Sequence, residues 1–192
     1  MSKGTSCAKA IQLWEEKNEG KTAAEAEAVK LTCMIPPVDK MDNALNSLAV
    51  CKHLSLSTNA IDRMINLPGL KSLEILSLGR NMIKKIQGLE EVGQTLRELW
   101  ISYNQIEKLD GLQPCVKLQV LFMSNNKIKS FEELEKLASL PEITNVLFVG
   151  NPIYDGLTRD EAKPLVLKRV PNVKTIDGEM VTEEIRQKAL ED

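Results

Sequence analysis

The sequence predicts an α/β solenoid of about six stacked coils, with a parallel β-sheet on one face, short 3₁₀ or α returns on the other, and helical caps at both ends. Three observations predict it. Residues 96–109 set apolar Leu96, Leu99, Ile101, Ile106 and Leu109 around one asparagine, Asn104, in the pattern L-x-x-L-x-L-x-x-N-x-L. Asparagines recur at Asn59, Asn81, Asn104, Asn126 and Asn151, spaced by 22, 23, 22 and 25 residues. Each carries apolar residues five and three positions before it and two after: Leu54, Leu56 and Ile61; Leu76, Leu78 and Ile83; Leu99, Ile101 and Ile106; Leu121, Met123 and Ile128; Val146, Phe148 and Ile153.

This is the leucine-rich-repeat template, and its physics is specific. Each L-x-L is a short strand with two residues inward and the middle one outward, because side chains alternate along a strand. The asparagine sits where the chain turns away, and its amide can bond backbone groups that the turn leaves unpaired. Losing such a partner for a buried group costs roughly 1–3 kcal/mol. Two further rows line the return path: Met41, Met64, Ile86, Leu109 and Phe131, then Leu67, Leu89, Leu112 and Leu134. A 22-residue coil leaves little chain for a full helix, so 3₁₀ turns are expected there.

Taken in order, residues 1–30 read as an N-terminal helical cap. Thr5 or Ser6 can cap a helix carrying Ala10, Ile11, Leu13 and Trp14 and ending near Asn18 to Gly20. A second, alanine-rich turn or two follows over residues 23–29. A solenoid has open ends that need covering, so Ile11 and Trp14 are assigned to a capping contact. The repeats occupy residues 31–156. Stepping back 23 residues from Asn59 puts Pro36 in the asparagine slot and Leu31, Cys33 and Val38 in the apolar slots, a degenerate first coil. The last interval is longer, and Ser130-Phe-Glu-Glu133 there reads as a capping box for one α-helix through Leu134, Leu137 and Ala138, stopped by Pro141.

Residues 157–192 form the C-terminal cap of what is one structural domain overall. Thr158-Arg-Asp-Glu161 is a second capping box, leading to Leu165, Val166 and Val170, with Pro164 expected to kink or restart the helix. Val173, Ile176 and Asp177-Gly178 resemble a last strand and turn. Thr182, with Glu183 and Glu184 in the first turn, caps a mostly polar helix through Leu190, which this pattern leaves either docked or projecting from the body.

Composition excludes several function classes. A chain of 192 residues suits a single core. Its net charge of −2, with 27% charged residues spread along the chain, argues against a nucleic-acid surface. No apolar run approaches the ~20 residues of a membrane span, and the N-terminus has no signal-peptide core, so an intracellular protein with no membrane contact is expected. The four cysteines form no C-x-x-C pair, and three of them are expected to be small core fillers. The single histidine, His53, does not complete a zinc site. Phosphate-loop, metalloprotease, nucleophile-elbow and dinucleotide motifs are all missing. His53 falls in an outward slot and reads as a surface residue. No enzyme, metal or cofactor is expected.

The informative residues are those the template leaves free. Four positions before each asparagine the outward column runs Ser55, Ser77, Trp100, Phe122, Leu147; six before, His53, Ile75, Glu98, Val120, Asn145; two before, Ser57, Gly79, Ser102, Ser124, Val149. All should face solvent. Small serines fill one end, and Trp100, Phe122, Leu147, Val120 and Val149 gather toward the other, as an interaction surface does. Arg80 and Tyr103, each one residue before its asparagine, are placed as a polar rim. Covering Trp100 and Phe122 would remove on the order of 300 Å² from water, worth roughly 7 kcal/mol gross.

Several runs carry a resemblance. The short coils are similar to the subfamily of the protein-phosphatase-1 regulator, and Met34-Ile-Pro-Pro-Val-Asp-Lys-Met-Asp42, Leu54-Ser-Leu-Ser-Thr-Asn59, Ile75-Leu-Ser-Leu-Gly-Arg-Asn81, Glu98-Leu-Trp-Ile-Ser-Tyr-Asn104 and Met123-Ser-Asn-Asn126 resemble the light chain 1 family of axonemal outer-arm dyneins over nearly the whole chain. The resemblance implies a non-catalytic subunit of a ciliary or flagellar motor, monomeric by itself and located in cytoplasm, cytoskeleton and axoneme. It implies binding to a dynein heavy chain at the microtubule-binding tip of its stalk, contact with tubulin, and tuning of the beat. The apolar patch matches at Trp100 and Phe122, and the charged terminal helix matches in kind through Arg186, a secondary contact. The alternative is a leucine-rich adaptor that regulates a phosphatase or another globular partner.

Overall fold

Eight strands form one sheet in strict chain order, because each coil contributes one strand and stacks on the one before it. The computed structural model describes residues 3–191; Met1, Ser2 and Asp192, which the cap assignments included, lie outside them. The first seven strands are parallel: β1 (Ala28–Lys30), β2 (His53–Ser55), β3 (Ile75–Ser77), β4 (Glu98–Trp100), β5 (Val120–Phe122), β6 (Asn145–Leu147) and β7 (Thr175–Ile176). A last strand, β8 (Glu179–Met180), turns back antiparallel to β7. Beneath them runs one continuous apolar core, with Leu54, Leu76, Leu99, Leu121 and Val146 stacked in register and buried. No helix among the described residues is long and apolar enough to cross a membrane.

The asparagine column is a ladder of hydrogen bonds between coils. Asn126 Nδ2 donates to the carbonyls of Ile101 at 3.0 Å and Met123 at 3.2 Å, while its Oδ1 accepts from the Ile106 N–H at 3.1 Å. Asn59, Asn81, Asn104 and Asn151 repeat this arrangement on their own coils. At the end of the stack the ladder needs another residue. Asp177 Oδ1 accepts from the N–H groups of Phe148 at 2.7 Å and Val149 at 3.0 Å, and the Tyr154 hydroxyl donates to its other oxygen. Burial, then the adjacent Asp177 charge, pushes the Tyr154 phenol pKa upward, so the phenol stays protonated and donating.

The first coil departs from the expected register. Its strand lies at Ala28–Lys30, with Val29 opposite Leu54, rather than at Leu31 and Cys33. Val29 therefore belongs to the sheet, and the alanine-rich helical turn shrinks to a 3₁₀ segment at Ala23–Glu25. Val29 lies 25 residues before Leu54, whereas Val38, whose N–H meets Asn59 Oδ1 at 3.0 Å, lies 23 before Ile61. The turn between them holds two extra residues in the Met34-Ile-Pro-Pro37 run. A shift of two keeps the same face inward, which is why Leu31 and Val38 are buried all the same.

The returns are looser and tighter than expected in different places. The middle coils cross with isolated i→i+3 bonds, such as Leu70 N–H to the Leu67 carbonyl at 3.2 Å and Cys115 N–H to the Leu112 carbonyl at 2.9 Å. The long coil carries no α-helix; Phe131–Ser139 is a nine-residue 3₁₀ helix. Nine residues rise about 18 Å as 3₁₀ and about 14 Å as α, so the tighter helix spans more of the coil. The Ser130 box does not close either. Ser130 accepts from the Glu132 N–H, while Glu133 accepts from the Leu109 N–H of the preceding coil at 3.0 Å and from Lys136 at 2.8 Å.

That anchoring has a measurable signature. Burial would raise the Glu133 carboxyl, but the Lys136 hydrogen bond and the Leu109 N–H outweigh it and hold it below the ordinary 4.5. A folded pKa below the unfolded one contributes stability above the unfolded value that is lost as pH falls through the folded value. Wild type and Glu133→Gln are therefore expected to differ in urea midpoint at neutral pH and to converge below pH 4.5. A gap that stays constant with pH would show that the anchored species is not the carboxylate.

The ends are capped by helices. α1 (Cys7–Lys17) is capped by Ser6, which accepts from the Lys9 N–H, and Ile11 and Trp14 pack on the first coil's core. Helix α2 (Arg159–Arg169) begins with the complete Thr158–Glu161 box and continues through Pro164, its sixth residue, so the helix does not restart there. The terminal helix α3 (Glu183–Leu190) does not project: Ile185 and Ala189 pack back against the core and α2. Cys7, Cys51 and Cys115 are buried and Cys33 is exposed. Burial pushes the Cys7 and Cys115 thiols up to about 11 and about 12, so both remain uncharged fillers.

Candidate functional site

Strand register brings the outward residues into ladders. Ser55, Ser77, Trp100, Phe122 and Leu147 lie side by side on consecutive strands. His53, Ile75, Glu98, Val120, Asn145 and Thr175 form the neighbouring ladder. The Trp100 and Phe122 rings stack at 6.1 Å and 27°. The other edge of Trp100 meets His53 at 5.3 Å and 77°. His53 sits two strands away, so the indole lies back across Ser77.

This posture changes the surface from the one the template implies. Ser55 and Ser77, expected in solvent, are only 6% and 3% exposed, and Ser124 only 6%. Trp100 and Phe122 are themselves half-buried, so part of the ~300 Å² they carry is already covered by each other and by His53. His53 is not a free surface residue: Nε2 shares a hydrogen bond with Ser77 Oγ at 3.1 Å, and burial, then the nearby Lys30 charge, holds the ring below its usual pKa. The imidazole is neutral at pH 7 and props the indole. Trp100 Nε1 is buried with no hydrogen-bond partner. Beside it, burial raises the Glu98 carboxyl.

Val120, Leu147 and Val149 are half-buried and continue the apolar surface. The Asp177 bond to the Val149 N–H fixes that end of it. Arg80 and Tyr103 stand exposed at the rim, with the guanidinium carbon 4.2 Å from the Tyr103 ring centroid. Both have positive φ, 54° and 58°, as do Thr58 and Asn125 in the same slot of their coils. That left-handed residue before each asparagine turns the side chain out of the sheet plane, at a backbone cost non-glycine residues seldom bear.

Arg186 does not join this surface. It lines a groove between α2 and α3 with Leu167, Lys168 and Pro171. One residue of the face escaped the template: Met180, 78% exposed, pairs directly with Thr175 and so extends the Val120 and Asn145 ladder. Asp177-Gly178 followed by Glu-Met-Val carries the hairpin signal that locates it.

Comparison with known proteins adds an independent line. A family described as "Leucine Rich repeats (2 copies)" matches residues 94–136. "Dynein axonemal light chain 1" of Chlamydomonas reinhardtii is 51% identical over 193 residues, covering 98% of this chain and 97% of that protein. The Danio rerio and Homo sapiens proteins of the same name are 56% and 54% identical over 94% and 93% of this chain, each covered to 94%. Among solved structures, one from the Drosophila melanogaster SNF/U2A′ complex superposes with a TM-score of 0.64 at 18% identity, over 79% of this chain and 91% of that one. At that identity the likeness concerns the fold alone.

Proposed function

The chain belongs to the axonemal dynein light chain 1 family, and from that premise we propose that it is a non-catalytic outer-arm light chain that grips the motor heavy chain with the solvent face of its sheet. A dynein light chain role follows from the family itself, and the leucine-rich repeats fit protein interaction rather than chemistry. The finer reading places the heavy-chain contact at the microtubule-binding tip of the stalk, within reach of tubulin in the axoneme, where the light chain tunes ciliary or flagellar beating.

The observation that carries this reading is the stacked Trp100–Phe122 pair running on into Leu147. Aromatic side chains on a rigid, partly desolvated sheet are what anchors an interface. The sheet has no freedom to lose on binding, because every coil is hydrogen-bonded to the next through its asparagine. The test is affinity purification of the tagged full-length chain from ciliated cells. An axonemal dynein heavy chain is the expected co-purifying protein. Recovery of a phosphatase catalytic subunit without dynein would overturn the reading in favour of the adaptor alternative.

A further inference from the structure

We infer that the heavy-chain surface covering the sheet sets a basic side chain against Glu98; this rests on the reading above. In the outward ladders from β2 to β6, Glu98 is the only residue with a formal charge at pH 7, since His53 is neutral there.

Its place is in the middle of the face. Glu98 lies between Ile75 on β3 and Val120 on β5, and Trp100 follows two residues on along the same strand and face. The Trp100–Phe122 stack and the Ile75–Glu98–Val120 row therefore adjoin, and a surface that covers one covers the other. Glu98 is already half-buried in the free protein.

Nothing within the chain answers this charge. Among the described residues no cation or hydrogen-bond donor meets the carboxylate, and burial alone shifts its pKa, upward from the ordinary 4.5. The basic residues around it are engaged elsewhere. Arg97 pairs with Glu74 at 3.8 Å, and Arg80 lies 4.2 Å from the Tyr103 ring centroid. Lys30 stands on β1, three strand spacings or roughly 14 Å away. The Trp100 indole N–H, two residues along, is itself buried without a partner and so does not donate to Glu98.

Covering the face makes that isolation costly. A carboxylate taken out of water must be paired or protonated, or it bears the full desolvation penalty. Ile75 and Val120 have no side-chain donor to offer it. A cation on the partner resolves this in one contact, and arginine fits best. Its guanidinium presents two parallel N–H donors to a carboxylate, and its flat face suits the indole beside Glu98. A neutral or acidic surface would leave Glu98 buried and unpaired, so this residue selects the partner and fixes its register. Trp100 and Phe122 supply the apolar anchor; Glu98 decides what docks on it.

The test titrates full-length variants against purified intact heavy chain at pH 7, with melting temperature as a fold control. Glu98→Gln keeps the shape without the charge and is expected to weaken binding about tenfold. Glu98→Lys sets like charges together and should weaken it about a hundredfold or more. Both should melt close to wild type, because the carboxylate has no partner within the chain to lose. Wild-type or tighter binding by Glu98→Gln, alongside lost binding by Trp100→Ala with Phe122→Ala, refutes the basic contact and leaves the sheet face standing. Wild-type binding by that alanine pair refutes the face reading itself, and the contact at Glu98 with it.

Discussion

Trp100→Ala combined with Phe122→Ala is expected to weaken heavy-chain binding by about a hundredfold or more, while circular dichroism stays at wild type and the melting temperature falls by only a few degrees. The geometry explains why the two effects separate. Each side chain is half-buried on top of the sheet, and neither belongs to the core beneath it, where Leu99 and Leu121 are fully enclosed. Truncation removes the Trp100–Phe122 stack and the edge contact with His53 and uncovers Ser77, which water can hydrate at little cost. It also removes the partnerless indole N–H, an unfavourable feature of the free protein. Binding at wild-type strength by this pair, measured by titration against intact heavy chain, would exclude the sheet face as the contact.

Asn126→Ala should act in the opposite sense, on the fold and hardly on the face. The amide satisfies the Ile101 and Met123 carbonyls and the Ile106 N–H, all deep in the stack. Orphaning such groups costs ~1–3 kcal/mol for each one left dry, and water entering the cavity recovers part of this, so a loss of about 3 kcal/mol in urea unfolding is expected. Asn126→Asp separates donor from acceptor. It keeps an oxygen for the Ile106 N–H but faces two carbonyls with a carboxylate, and should destabilise at pH 7 at least as much as alanine. A stable aspartate variant would mean that the two amide donations contribute little to holding adjacent coils together.

Much of this architecture was legible because repeat spacing is a local property. Asn59 through Asn151 carry their apolar partners within a few residues, so strand position, inward face and turn follow from counting. The first coil defeats the count because two residues are inserted between Leu31 and Val38, and nothing in the Met34-Ile-Pro-Pro37 run marks which side of the strand absorbs them. Ser130-Phe-Glu-Glu133 misled for a related reason. The local box competes with the Leu109 N–H one coil away, and the buried backbone donor wins the carboxylate.

The sequence by itself determined the coil number, the asparagine ladder and the list of outward residues, since these depend on periods of two and about 23 that the main chain imposes. Only the tertiary structure decided what the outward residues do to one another. Trp100 lies across Ser77 because His53, two strands back, offers its ring to the indole. Met180 reaches the face because β8 folds antiparallel onto β7. The helix carrying Arg186 docks rather than projects because Ile185 and Ala189 find apolar cover. In each case the deciding partner is brought close by stacking or folding back, a proximity that no local spacing encodes.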